Sequence, residues 1–184
     1  MDFSAFSHGQ IQSKQWLCEI LEPYIPYGSN ILILGCWYNI LGLMLLSRNP
    51  ITHYFVRGID IDPNAIEIAN KICQAWMIEP NVKLSNSVND ANTFDYFGHN
   101  VVINCSLEHM SSDDWFTRIP NGTLVCLQSS NVNITDPSWD IKNHINSMSM
   151  LTEKYPLSYY LFRNTKNFDY GTFSYERFMC IGLK

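Results

Sequence analysis

The sequence predicts an α/β fold in which helices cover both faces of a mostly parallel sheet. Two apolar runs, at 31–34 and 55–61, are each followed by a helix-like segment. The first run is apolar at every position, which is typical of a parallel strand buried on both faces. Strand-like and helix-like segments alternate up to residue 128, but no helical pattern separates the last two strand-like runs. We therefore expect an antiparallel hairpin at one edge of the sheet.

The length and composition favour one globular domain that binds a small ligand. The chain has 184 residues, 46% hydrophobic and 16% charged, which allows a substantial core. Its net charge of −5 argues against extended nucleic-acid binding, because contact with a phosphate backbone requires clustered Lys and Arg. No stretch is apolar and long enough for a membrane span, and residues 1–10 lack the pattern of a signal peptide.

The six cysteines show no C-x-x-C pair and no zinc-like spacing, and several lie in apolar runs. A thiol in such a run behaves as a small hydrophobic side chain. We expect the cysteines to be reduced and mostly structural, and the protein to be cytoplasmic.

The predicted elements follow from periodicity and from helix start and stop signals. The first helix is predicted over 13–24, with Ser13 as its cap and Pro23 near its end. Further helices are predicted at 40–47, at 63–77 with Pro63 as the first helical residue, near Asp113, and at 144–154. Strands are predicted at 31–34, 55–61, 82–88, 100–104, 123–128, 157–163 and 176–183, with a turn at Asp136-Pro137 in the polar segment before the last helix.

The carboxyl ends of the first two strands form the candidate ligand site. Gly35 ends the first strand and Asp60 ends the second. Two parallel strands joined by a crossover helix create a crevice there, where a helix N-terminus and an acid can hold a nucleoside. Asp60 is suited to accept hydrogen bonds from both ribose hydroxyls, and its alternative role is to cap a helix. Asp62, directly before Pro63, is the better candidate for the cap.

The order of these elements resembles that of the class I S-adenosylmethionine-dependent methyltransferases, over 13–184. The similar stretches, in chain order, are Ile31–Cys36, Gly58–Pro63, Asn89–Ala91, Val102–Met110 with its Glu-His pair, and Pro120–Val125. The resemblance implies a single Rossmann-like domain over 1–184, with seven strands and the last one inserted antiparallel beside the fifth. It divides the chain into an N-terminal helical extension (1–29), a cofactor-binding core (30–128) and a substrate-side loop with the hairpin (129–184).

The resemblance also implies an activity, a cofactor and site residues. The activity is methyl transfer from S-adenosylmethionine to an O or N acceptor on a small molecule or on an exposed group of a macromolecule. The implied cofactor-binding residues are Gly35, Cys36, Trp37, Asp60, Ile61, Asp90, Ala91 and Asn104. Ile61 would pack against adenine, and Asp90 would accept from its amino group or simply end a strand. The candidate catalytic residues are Glu108, His109 and His144, because a histidine can take a proton near neutral pH.

The first motif departs from the pattern of the family. The family carries an acid two residues before the first glycine and two more glycines at alternate positions after it. Those positions hold Ile33, Trp37 and Asn39 in this chain. Glycine adopts positive φ most readily and Asn next, so the tryptophan is the main departure. Trp37 would stack on the ligand, cover it or fill the pocket.

Several alternatives remain open on the sequence. The altered motif favours a binding or scaffold protein that has lost its cofactor. Gly35 and Asp60 also fit a dinucleotide-dependent oxidoreductase, although the G-x-G-x-x-G pattern is absent. A third possibility is another reaction that uses the same sulfonium cofactor. Some relatives bind a metal through a Glu-x-x-Glu-His pattern, but the first acid is Cys105 here, so no metal ligand set is predicted.

Two further groups of side chains have a structural role as the alternative to a functional one: a cysteine and the aromatic residues of the last third. Cys105 would act as a nucleophile only with an adjacent base and a lowered pKa. Aromatic residues of the last third are candidates for an acceptor pocket, although such residues belong more often to a core: Trp139, Tyr159, Tyr160, Phe168 and Tyr170.

Overall fold

The computed structural model describes residues 2–48, 53–77, 83–132, 140–171 and 174–184. Seven strands form one sheet in the spatial order β3-β2-β1-β4-β5-β7-β6. They are β1 (Asn30–Leu34), β2 (Phe55–Asp60), β3 (Lys83–Val88), β4 (Val101–Asn104), β5 (Leu124–Ser130), β6 (Tyr159–Asp169) and β7 (Ser174–Leu183). β1 to β5 are parallel, and β7 pairs antiparallel with both β5 and β6. This confirms the predicted mostly parallel sheet with a C-terminal hairpin, whose strands are longer than expected.

Helices cover both faces of this sheet. They are α1 (His8–Leu21), α2 (Ile40–Arg48), α3 (Pro63–Met77), α4 (Asp114–Arg118) and α5 (Met148–Lys154), with short 3-10 turns at Phe3–Phe6, Glu22–Tyr24 and Leu107–His109. None of the helices in the described part of the chain is long and apolar enough to cross a membrane.

The alternation of side chains along each strand divides the core into two layers. In β1, Ile31 and Ile33 pack with side chains of α1, α2 and α3 on one face of the sheet. Leu32 and Leu34 point to the other face, where they pack with side chains of α4 and α5. Every position of the strand is therefore buried except its first residue, as its apolar run predicts.

The start of α1 differs from the prediction. The helix begins at His8, and the Ser7 hydroxyl caps it by accepting from the Gln10 N–H at 3.4 Å. Ser13, the predicted cap, is buried within the helix and donates to Gln128 Oε1 of β5 at 2.8 Å. A serine in mid-helix can resemble a cap in sequence, and a buried partner in a distant strand is what distinguishes it.

The starts of α3 and α5 give one confirmation and one correction. Pro63 is the first residue of α3, and Asp62 caps it by accepting from the Asn64 N–H at 2.8 Å. α5 begins at Met148 rather than at residue 144, because Ser147 caps it and accepts from the N–H of the third residue of the helix. The predicted turn at Asp136-Pro137 lies outside the described residues.

Candidate functional site

The loop between β1 and α2 adopts the left-handed conformation at alternate residues. φ is +56° at Gly35, +50° at Trp37 and +51° at Asn39. These are the three positions at which the resembling family carries glycine. The chain therefore keeps the backbone path of a glycine-rich loop while two of its positions carry side chains.

Asn39 combines that backbone conformation with a helix cap. Its side chain is fully buried, and its Oδ1 accepts from the Gly42 N–H at 3.2 Å at the start of α2. Its Nδ2 donates to Asn86 Oδ1 of β3 at 2.6 Å. Asparagine tolerates positive φ and is a preferred capping residue, which accounts for its use here.

Trp37 lies in the wall of the crevice at the carboxyl end of the sheet. Its backbone N–H donates to Asp60 Oδ2 at 2.8 Å, which connects the loop to the tip of β2. Its half-buried ring packs against the Tyr38 ring with centroids 4.9 Å apart. The tryptophan therefore does not fill the crevice. Stacking on the ligand and covering it are the two other placements predicted from the sequence.

Gly35 is enclosed by the turn after β4. The Ser106 hydroxyl donates to the Gly35 carbonyl oxygen at 2.9 Å. A Cβ atom added at Gly35 would lie 2.9 Å from the Ser106 Cβ, so this position has no room for a side chain. The contact fixes the ends of β1 and β4 against each other.

Asp60 is oriented by backbone donors on both sides. Its Oδ1 accepts from the Asp62 N–H at 3.0 Å, and its Oδ2 accepts from the Trp37 N–H. An ionised carboxylate has about four lone-pair positions, so two remain for ligand hydroxyls. The neighbouring Ile61 is 70% exposed, which is unusual for its type and leaves an apolar surface beside the acid.

Asp90 lies close to this acid because the strand ends meet. The Asn89 N–H donates to the Asp60 carbonyl oxygen at 2.9 Å. Asp90 Oδ1 accepts from the backbone and side-chain N–H groups of Asn92, at 2.8 and 2.9 Å. Asp90 therefore also stabilises the turn after β3.

These elements surround a cavity of about 700 Å³, called here the large cavity. Nine of the residues proposed from the sequence line it: Gly35, Cys36, Trp37, Asp60, Ile61, Asp90, Ala91, Glu108 and His109. The structure thus brings together residues that are far apart in sequence and follow four different strands.

Asn104 and His144 are not among the lining residues. Asn104 is fully buried, and its Oδ1 accepts from the Ser106 N–H at 3.0 Å, so its side chain supports the turn beneath the cavity. His144 lies half-buried in the segment before α5. Among the aromatic candidates, Phe168 is a core residue and Tyr159 is exposed, whereas Trp139 lies outside the described residues.

The N-terminal segment supplies a wall of the large cavity that sequence reasoning missed. Asp2, Ser4, Ala5, Ser7, Gln10 and Lys14 all line it. The Asp2 N–H donates to the Tyr38 hydroxyl at 2.8 Å, which ties the segment to the loop after β1. The Ser7 cap was the available signal for this wall, because it starts α1 early enough to reach the strand ends.

Glu108 and His109 lie at the end of the cavity away from Asp60. Glu108 is 5% exposed, and its backbone carbonyl accepts from the N–H groups of Lys142 and Asn143. His109 is exposed, with Nδ1 3.2 Å from the Asp140 carbonyl oxygen. A carbonyl can only accept, so Nδ1 carries the hydrogen in this contact and Nε2 is the basic nitrogen of the neutral ring.

Burial shifts the pKa of two other cavity residues. It lowers the pKa of Lys14, whose Nζ donates to Gln10 Oε1 at 2.5 Å. It raises the pKa of the Cys105 thiol, which disfavours the thiolate that a nucleophile requires. Within the described part of the chain, no group of three or more His, Cys, Asp and Glu side chains is placed to hold a metal ion.

A comparison of the sequence with protein-family models and with curated proteins finds no match. Solved structures do match by fold. One is an S-adenosylmethionine-dependent methyltransferase from Methanosarcina mazei, with a TM-score of 0.67 and 16% identity, covering 90% of this chain and 96% of that one. Another is a putative sarcosine dimethylglycine methyltransferase from Galdieria sulphuraria, with a TM-score of 0.67 and 11% identity, covering 95% and 86%.

A third match is magnesium protoporphyrin IX methyltransferase from Synechocystis PCC 6803, which was solved with S-adenosylhomocysteine bound. Its TM-score is 0.65 at 12% identity, and the match covers 93% of this chain and 82% of that one. At these identities the likeness concerns the fold. The chain therefore has the fold of the class I S-adenosylmethionine-dependent methyltransferases.

Proposed function

We propose that the protein is an S-adenosylmethionine-dependent methyltransferase that acts on an O or N acceptor. The observation that carries this proposal is the contact between Trp37 and Asp60 in the wall of a cavity of about 700 Å³. It joins a loop with three left-handed residues to an acid with free lone pairs, which is similar to the way nucleotide-binding α/β folds hold a ribose.

The residues of the large cavity fit the cofactor from its adenine to its methionine end. Asp60 accepts from the ribose hydroxyls, and the exposed Ile61 side chain packs on the adenine ring. Asp90 and the Ala91 N–H pair with the polar edge of adenine. The loop 35–37 passes along the sulfur-bearing chain, where positive φ lets the backbone approach closely.

Bound in this way, S-adenosylmethionine supplies a methyl group on a sulfonium sulfur, which becomes a neutral thioether when an acceptor lone pair takes the methyl. The protein holds the acceptor in line and excludes water. An acceptor that carries a proton passes it to a base, and Glu108 and His109 are the candidates that line the cavity. His144 lies outside the lining and has no assigned part in this scheme.

The rival functions make different ligand-binding predictions. A scaffold protein would bind no nucleoside, and its sequence argument, the tryptophan at position 37, loses force because that side chain leaves the cavity open. An oxidoreductase would bind NAD through Asp60. We therefore propose calorimetric titration of the purified protein with S-adenosylmethionine, S-adenosylhomocysteine and NAD.

The proposal predicts micromolar binding of both sulfur compounds and no binding of NAD. Binding of NAD alone would favour the oxidoreductase. If none of the three binds to folded protein, the methyltransferase proposal is wrong and the scaffold is the better interpretation. Formation of S-adenosylhomocysteine in an acceptor screen then tests turnover.

A further inference from the structure

A second cavity of about 280 Å³, called here the small cavity, adjoins the large one. The two share four lining residues: Ser7, Gln10, Glu108 and His109. The small cavity is further lined by Ser130 at the end of β5, by Arg177 of β7, and by the rings of Tyr170 and Tyr175. Its mouth is therefore at the end of the large cavity where the candidate bases lie.

The strand order separates the small cavity from the end of the large cavity where the nucleoside is proposed to bind. Asp60 ends β2, whereas Ser130 ends β5, and β1 and β4 lie between them. Neighbouring strands are about 4.8 Å apart, so the two strand ends are separated by roughly 14 Å. A ligand whose ribose contacts Asp60 thus leaves the small cavity to a second molecule.

Three buried polar atoms, each in a residue that lines the small cavity, have no hydrogen-bond partner among the described residues. They are Glu108 Oε2, Ser130 Oγ and Arg177 Nε. Their residues are only 5%, 3% and 6% exposed. Glu108 Oε1 and Arg177 Nη2 are 3.9 Å apart, too far for a hydrogen bond. Buried polar groups are nearly always paired, so three unpaired ones around one cavity indicate a polar ligand.

Basic side chains outnumber acidic ones among the described residues that line the small cavity. Arg177 is always cationic, and its Nη2 lies 3.9 Å from Glu108 Oε1. Burial lowers the pKa of Lys14, and the positive charge of Arg177 lowers it further. His8 and His109 also line the small cavity, whereas Glu108 is the one acidic side chain among its described lining residues. An anion in the small cavity would pair with Arg177 and reduce its repulsion of Lys14.

We propose that the methyl acceptor carries a carboxylate and that the small cavity binds it, with Arg177 and Ser130 as donors. This inference rests on the proposed function, since it names the class of acceptor for the same site. A carboxylate fits better than a phosphate dianion, because Glu108 lies in the same cavity and repels two negative charges more strongly than one. The body of the acceptor lies against the Tyr170 and Tyr175 rings and reaches the junction of the cavities.

The test uses benzoate and its neutral isostere benzamide as probes, titrated into protein saturated with S-adenosylhomocysteine. We expect benzoate to bind at least about tenfold more tightly than benzamide, as a charge-assisted pair would give. The variant Arg177→Met should weaken benzoate binding by about tenfold or more. Arg163→Met is the control. It removes the same charge from an exposed position of β6 and should leave the affinity for benzoate unchanged.

Two further variants keep the test decisive if Arg177→Met does not fold. Glu108→Gln keeps the shape of the side chain but removes the opposing charge, so it should tighten benzoate binding by about twofold or more. Ser130→Ala should weaken it. Equal affinity for benzoate and benzamide, or weaker benzoate binding in Glu108→Gln, would show that the small cavity is not a carboxylate site.

The failure of each proposal has its own signature in these titrations. If S-adenosylhomocysteine does not bind, the methyltransferase proposal fails, and benzoate is then titrated into the ligand-free protein. Selective binding of benzoate there, lost in Arg177→Met, would still support a carboxylate site. If S-adenosylhomocysteine binds but benzoate does not, only the carboxylate inference is overturned.

Discussion

The backbone N–H of Trp37 donates to Asp60 Oδ2 at 2.8 Å, so the loop after β1 and the tip of β2 form one unit. The bond uses one lone pair of the carboxylate and fixes its plane. A ligand that binds Asp60 therefore meets an acceptor that is already oriented, which reduces the entropy lost on binding.

The first prediction concerns this acid. Asp60→Ala removes the ribose acceptors and leaves the N–H groups of Trp37 and Asp62 without their partner. Affinity for S-adenosylhomocysteine should fall by about 5- to 150-fold, corresponding to about 1–3 kcal/mol. Calorimetric titration measures it. Asp62→Ala is the matched control: it removes the cap of α3 and costs about 1 kcal/mol of stability, but should leave the affinity unchanged.

A second prediction compares two glycines to separate the cost of a steric clash from the cost of backbone strain. Gly35 and Gly28 both have positive φ, but a Cβ atom at Gly28 has nothing within 4 Å. Gly28→Ala should therefore cost only about 1–2 kcal/mol from its conformation. Gly35→Ala should cost about 1–3 kcal/mol more, because its Cβ atom would clash with Ser106. Urea unfolding of both variants measures the difference, and equal losses would contradict the predicted clash.

A third prediction addresses Asn39. Asn39→Ala should lower the free energy of unfolding by about 2–4 kcal/mol, because it removes the cap of α2, leaves Asn86 Oδ1 without its donor and replaces asparagine, which tolerates positive φ, with alanine, which tolerates it less. Asn39→Gly loses the same hydrogen bonds without that strain. It should therefore be about 1 kcal/mol more stable than the alanine variant. Urea unfolding tests this order, and the reverse order would contradict it.

A fourth prediction concerns alkaline pH. Burial raises the pKa of the Cys18 thiol to about 12. The unfolded chain ionises this group near its ordinary value, about 8.5, so it releases its proton before the folded chain does. The stability that the raised pKa contributes is complete below that value and is lost as the pH approaches 12.

The measurement compares the protein with Cys18→Ala by urea unfolding in reductant between pH 8 and 11. The stability difference should narrow above about pH 9, by up to about 1.4 kcal/mol per pH unit. A difference that stays constant over this range would show that ionisation of Cys18 does not contribute to alkaline unfolding.

Local signals in the sequence were sufficient for the parallel part of the sheet and for α3. Asp62 followed by Pro63 is a start signal that depends only on neighbouring residues, and the structure uses both as predicted. Ile31–Leu34 is apolar throughout because both faces of β1 are covered, which a single sequence can show. Boundaries were less secure where a polar side chain had two possible partners, as for Ser13.

The candidate site could be predicted only where it follows a strand end. Asp60 ends β2, while Gly35 and Asp90 follow the ends of β1 and β3, and parallel pairing brings such ends together. Lys14 and Arg177 carry no local signal, because they reach the cavities through α1 and the antiparallel β7. Asn104 was wrongly predicted to contact the ligand because it ends a strand. Its side-chain oxygen accepts a hydrogen bond within the turn after β4, and the residue does not line the large cavity.

The small cavity is built from residues near both ends of the described chain, from Ser7 to Arg177. Proteins are synthesised from the N-terminus, so a growing chain contains the loop after β1 and the tip of β2 long before β7 exists. The residues of the predicted nucleoside contacts are therefore synthesised before Ser130 and Arg177, the donors proposed for the acceptor. Selectivity for the acceptor would therefore arise later in synthesis than affinity for the nucleoside.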